Sequence, residues 1–201
     1  MKKPILKLVT EFADAKWIQD ILYPWEEPYF GCLGSVIPIG FESYLAIRHE
    51  NNDKSRGPLG NLNEEKLSLI LRDYTTCPEN CLIGIWNGFG WSFEEEYPEL
   101  FEGKIYFDKY FELPDRSYYL LNCDILDSLR IGSHYGEHLE QESPNLMWPQ
   151  DKSWFVSKEI DFEVTLVGGS EELIKEIENT WAFATERFDP KDPNSTIFIA
   201  E

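Results

Sequence analysis

The stretch WFVSKEIDFEVTLV, residues 154–167, followed by Gly168-Gly169-Ser170, sets the fold class. It contains no Gly, Pro or Asn, and therefore no obvious turn. Trp154, Val156, Ile160, Phe162, Val164 and Leu166 fall on one parity, with Lys158 as the exception. Ser157, Glu159, Asp161, Glu163 and Thr165 fall on the other. Alternation with period two over such a run predicts one long antiparallel strand, apolar on one face and polar on the other, with room for a bulge. Gly168-Gly169 then reads as a turn. Ser170 reads as the N-cap of a helix to Asn179, with Leu173, Ile174 and Ile177 on its core face.

Working outward, the same periodicities place the other elements. Thr10 is suited to cap a helix over Glu11–Leu22, which Pro24 and Pro28 end. Val36–Ile39 and Ser43–His49 read as strands, and residues 50–61 as a polar loop rich in breakers. Asn63 opens a helix reaching about Tyr74 with Leu67, Ile70 and Leu71 buried. Cys81–Trp86 is a short apolar run typical of a buried strand, turned by Asn87-Gly88. Glu94–Glu102 reads as an acidic loop, and Lys104–Leu113 with Ser117–Asn122 as a hairpin around Pro114-Asp115. Residues 124–147 show little periodicity. Strands and helices do not alternate in a βαβ rhythm, so the expectation is an α+β fold: a mainly antiparallel sheet with a few helices packed on one face. Residues 1–188 form one domain on this reading, and 189–201 a polar, Pro-containing tail.

The 201 residues carry 18 Lys and Arg against 37 Asp and Glu, a net charge of −19. The excess is uneven. Residues 1–60 hold 7 basic and 8 acidic side chains, residues 61–150 hold 6 and 17, and residues 151–201 hold 5 and 12. Such a balance repels phosphate backbones and disfavours nucleic-acid binding, while it draws in a basic protein or cations. The bland alternative is that it serves solubility. No stretch approaches the roughly 20 apolar residues of a membrane span. Lys7, Glu11 and Asp14 interrupt any signal-like segment behind Met1-Lys2-Lys3, and Cys32, Cys77, Cys81 and Cys123 suit reduced thiols, so a cytoplasmic location is expected.

Motifs for chemistry are weak. His134 and His138, four apart, would share a helix face beside Glu137 or Glu142, but Gly136 weakens that helix and a solvated loop is the better reading. Cys77 and Cys81 lack a second pair for a zinc site. No nucleophile elbow accompanies the three histidines, and adjacent carboxylates such as Glu94-Glu95-Glu96 are expected by chance in so acidic a chain. No catalytic residue, metal or cofactor is therefore assigned. The binding candidates are Trp91, Trp148 and Trp154 in Gly- and Pro-shaped segments, the neighbouring Asp151, and the polar strand face Glu159, Asp161, Glu163 and Thr165. Exposed Trp gives a large contact area at low entropy cost, although Trp is also a frequent core residue. The acidic face either meets a basic surface or keeps an open sheet face wet.

Several of these segments, Pro38-Ile39-Gly40-Phe41 with Tyr44, Trp86-x-Gly88-x-Gly90-Trp91, Ser143-Pro144-Asn145-Leu146 with Trp148-Pro149 and Trp154, and Ile160-Asp161-Phe162 with Thr165 and Val167-Gly168-Gly169, resemble a family of bacterial proteins without an assigned activity. That resemblance implies no functional residues. A looser likeness, through the Asn-Gly turn after an apolar strand and the Trp-rich loops, is to the SMI1/KNR4 type of bacterial immunity domain, and it implies an acidic inhibitor of a basic toxin. The function expected is non-catalytic binding of a basic protein partner. The alternative is an enzyme or small-ligand protein with a cleft between the Trp91 loop and Trp148–Trp154, using Asp151 or Asp161 as its polar or acid/base group.

Overall fold

A computed structural model describes residues 4–24, 26, 32–49, 61–88, 93–101, 110–114, 116–135, 138–141, 143–159, 164–180 and 184–192, with the backbone alone at 61–62, 133–135 and 138–141. In chain order the elements are β1 (Lys7–Leu8), α1 (Lys16–Ile21), β2 (Ser43–Arg48), α2 (Asn61–Asp73), β3 (Cys81–Trp86), α3 (Phe93–Glu96), β4 (Phe111–Glu112), β5 (Ser117–Cys123), β6 (Gly132–Tyr135), β7 (His138–Gln141), β8 (Leu146–Pro149), β9 (Phe155–Ser157), β10 (Val164–Gly169), α4 (Glu171–Glu178) and β11 (Ala184–Arg187). The architecture is α+β. Among the described residues its main sheet has nine strands in the order β1-β5-β3-β8-β9-β10-β2-β11, with β4 beside β5, and β6 and β7 form a separate pair. Every pairing among the described residues is antiparallel.

The run 154–167 is where sequence and structure part. It is a hairpin: β9 and β10 pair with each other, Val156 opposite Val167 and Leu166 opposite Ser157. Reversal inverts the parity of the side chains. Trp154, Val156 and Val167 therefore lie on one face of the sheet, and Phe155, Val164 and Leu166 on the other. The long alternating pattern was two short strands, each buried on both faces. Gly168 and Gly169 make no turn; they belong to β10, opposite Tyr44 and Ser43. A Cβ on Gly168 would meet the Phe41 ring at 2.7 Å, and one on Gly169 would meet Leu173 at 2.6 Å, so the glycines admit close packing.

Both faces of the sheet are covered. Alternation along each strand sends Leu45, Ile47, Ile83, Ile85, Leu121 and Met147 towards α2, α3 and α4, which supply Leu67, Leu71, Phe93, Leu173, Ile174 and Ile177. Tyr44, Ala46, Leu82, Leu120 and Leu146 point the other way, against Ala15 at the N-cap of α1, Ile18 within it, and the segment carrying Leu33, Val36 and Ile37. α1 begins later than the Thr10 cap implies, and Val36–Ile39, expected as a strand, are turn and bend that follow a turn of 3-10 helix at Leu33–Ser35. β2, α2, β3 and α4 lie close to their expected positions. Ser170 caps α4 as expected, its hydroxyl accepting from the Leu173 amide at 3.2 Å. The expected acidic loop contains α3 and a 3-10 turn at Pro98–Leu100. Beyond β11, Phe188 packs its ring on Tyr44 and Pro190 is buried with its carbonyl against Gly34, so residues through 190 lie on the body of the domain.

Candidate functional site

Trp148 and Trp154 are 0% exposed, on opposite faces of the sheet. Trp148 stacks on Phe155 with centroids 5.5 Å apart and meets Trp17 edge-on at 6.4 Å. Trp154 donates its indole N–H to the Leu71 carbonyl at 2.9 Å, which satisfies an acceptor in the last turn of α2. Neither indole faces a cleft. Trp91, Asp161 and Glu163 lie outside the described residues.

Asp151 sits where β3 begins and β8 ends, and it ties two turns together. Its Oδ2 accepts from the Thr75 hydroxyl at 2.9 Å and from the amide and hydroxyl of Thr76, both at 2.8 Å; Oδ1 accepts from the Ser153 amide at 3.1 Å. Burial alone would raise its pKa, but the bonds from Thr76 and Ser153 outweigh it and hold the carboxyl far below the usual range. A carboxylate so stabilised is a poor proton acceptor. The neighbouring Lys152 takes a left-handed conformation, φ 57°, to complete the turn.

Glu159 and Thr165 sit at the opposite end of the sheet, where β2, β3 and β9 finish and β5, β8 and β10 begin. Neither lines an open acidic face. Glu159, 7% exposed, accepts from the Tyr118 hydroxyl at 3.2 Å and pairs with Arg116 at 2.8 Å, and the Arg116 guanidinium lies over the Trp86 ring at 5.0 Å. Thr165, 0% exposed, bonds His49 Nε2 at 2.9 Å. Burial, and then the Lys158 ammonium, push the His49 imidazole down to about 4 against the pull of Glu64.

Lys158, the residue that broke the apolar parity, is the sequence signal of a cluster not foreseen as one. It is 4% exposed and pairs with Glu64 of α2; its Nζ also donates to Ser143 Oγ at 2.9 Å, and Ser143 Oγ donates to Glu64 Oε1 at 2.7 Å. Asn145 locks the same corner, accepting from the Trp86 amide at 2.8 Å and donating to the Lys158 carbonyl at 3.2 Å. A Ser–Lys pair can serve acyl transfer only when the amine is neutral and the hydroxyl open. Here the ammonium is ion-paired and the hydroxyl is engaged as donor and acceptor, so the triad is a clamp. Adjacent residues Lys158 and Glu159 thus each make a buried ion pair, one on each face of the sheet.

A concave feature lies elsewhere: a cleft of about 600 Å³ between the segment entering β2 and the segment leaving β11, lined by Phe41, Glu42, Tyr44, Arg187, Phe188 and Asp189 among others. Tyr44 fixes one wall, its hydroxyl accepting from the Gly40 and Phe41 amides at 2.7 and 2.8 Å and donating to the Pro38 carbonyl at 3.1 Å. Arg187 fixes another, bonded to both oxygens of Glu171 and of Glu178 at 2.7–3.0 Å. The sequence offered Gly40-Phe41 and Tyr44 as a motif but gave no sign that residues 187–189 would face them.

Among the described residues no group of three or more His, Cys, Asp or Glu is placed to hold a metal ion. His134 and His138 lie on the paired strands β6 and β7, not on a helix. All four cysteines are free, and burial pushes the Cys81 thiol up to about 12. No helix among the described residues is long and apolar enough to cross a membrane. No family model, curated protein or solved structure matches the chain.

Proposed function

We propose that the protein is a non-catalytic, intracellular binding protein that engages a basic protein partner, as the likeness to acidic immunity domains also implies. The net charge of −19 carries this reading. The described candidates for chemistry support it, because Asp151, Glu159, Thr165, Ser143 and Lys158 are all committed to bonds within the chain. What is left to act outward is the field of the exposed carboxylates, which speeds encounter with a basic surface and selects against acidic ones. Free thiols, three of the four buried, accord with a reducing compartment.

Affinity capture from native cells at low and at high salt tests the proposal. One or a few basic proteins should be retained in stoichiometric amount at low salt and released as salt rises. Recovery of no basic protein at low salt would count decisively against it.

A further inference from the structure

The cleft beside β11 combines features that select one class of ligand. Its floor and sides carry three aromatic rings, with Tyr44 and Phe41 centroids 6.1 Å apart and Tyr44 and Phe188 centroids 5.6 Å apart. Gly40, at φ 128°, opens that wall: a Cβ there would meet nothing within 4 Å. Two carboxylates stand at the rim. Glu42 uses Oε2 to accept from the Glu171 amide at 3.2 Å, and Asp189 uses Oδ1 to accept from the Lys191 amide at 2.9 Å. The second oxygen of each has no bond among the described residues.

The basic residues in the lining do not reverse this balance. Arg187 is neutralised by Glu171 and Glu178 through both ends of its guanidinium, which draw the Glu171 carboxyl down to about 2. Counting Glu42, Glu171, Glu178 and Asp189 against Arg187 and Lys191 gives −2 for the cleft and its supports. Ring faces attract a desolvated cation through their quadrupole, and adjacent carboxylates add a directional bond. The wall is preorganised, since Tyr44 pins residues 38–41 with three bonds and Arg187 pins the outgoing strand to α4.

We infer that this cleft receives an organic cation, presented as an arginine or lysine side chain of the basic partner. The inference rests on the function proposed above and gives that partner its point of attachment. Of the charged lining groups, Arg187 is neutralised by its ion pairs, Lys191 opposes the ligand, and Glu42 and Asp189 favour it.

The test is an amide NMR titration of the full chain at low salt. The probes are a short arginine-glycine peptide, its citrulline counterpart of equal shape and no charge, and a quaternary ammonium salt at matched ionic strength. The arginine peptide should give saturable shifts at Gly40, Ser43, Phe188 and Lys191, and the citrulline peptide none. Glu42→Gln should weaken the arginine peptide about tenfold and Lys191→Gln should tighten it several-fold, since the first removes a charge-assisted hydrogen bond and the second a repulsion. Both substitutions are at exposed positions, so their folded spectra serve as controls. Shifts confined to another surface would overturn the cleft and leave the acidic-binder reading standing. An equal response to the citrulline peptide would overturn the cation, and tighter binding of the ammonium salt than of the peptide would overturn a protein side chain as its source. No shift anywhere would overturn both readings together.

Discussion

Lys158 interrupts an apolar parity in the sequence and ends as one half of a buried ion pair with Glu64, bridged by Ser143. Removing one partner of such a pair leaves a charge stranded in the core, whereas replacing both by apolar groups is close to neutral. Lys158→Met alone should therefore lower unfolding free energy by about 3–5 kcal/mol, and Lys158→Met with Glu64→Leu should recover most of that loss, as read by chemical denaturation. His49 reports on the same cluster. The groups that face it are Thr165 of β10, Lys158 and Glu64. Its folded pKa of about 4 lies below the ordinary value of 6.5, so the unfolded chain binds the proton more readily between those limits. Stability should fall as pH drops from about 6.5 towards 4, by about 2–3 kcal/mol from this residue, and the fall should shrink by that amount in His49→Gln. Asp151 acts with the same sign at lower pH. Its contribution is complete above the unfolded value near 3.8 and is lost as pH falls below it, and Asp151→Ala should cost about 1–3 kcal/mol at neutral pH through the bonds to Thr75, Thr76 and Ser153.

Among the elements, α4 and β10 carry the sharpest expectations. Ser170 is the side-chain N-cap of α4, and Ser170→Ala should cost about 1 kcal/mol in thermal or denaturant unfolding. Gly168→Ala should cost about 1–3 kcal/mol, because its Cβ would meet Phe41 at 2.7 Å and Tyr44 at 3.0 Å, and it should also disturb the amides of the cleft. The elements legible in the sequence were those whose signals are local: the Ser170 cap, the apolar run of β3, the Asn87-Gly88 turn and the stripe of α2. The hairpin of β9 and β10 was not legible, because neither a Gly nor an Asn marks the reversal and the two strands happen to keep a common parity in sequence. The short edge strands β1 and β11 depend on partners more than a hundred residues away, Asn122 for Lys7 and Ile47 for Thr185, and nothing nearby announces them.

For the whole molecule, alternation on every central strand required two covering layers, and the structure supplies α2, α3 and α4 on one side and α1 with the 33–41 segment on the other. Trp148 and Trp154 serve those layers, which the high average burial of Trp foreshadowed. The cleft was illegible because its walls come from residues 40–44 and 187–191, brought together only by the pairing of β2 with β11. What the composition did announce is the charge of −19, which no fold can internalise. The most direct measurement of its role is the association rate constant of the captured basic partner as ionic strength is raised. Steering by the acidic surface requires that constant to fall by about tenfold or more from low to physiological salt, with the dissociation rate changing far less. An association rate and affinity indifferent to salt would show that binding rests on apolar packing, and the acidic-binder reading would then be abandoned.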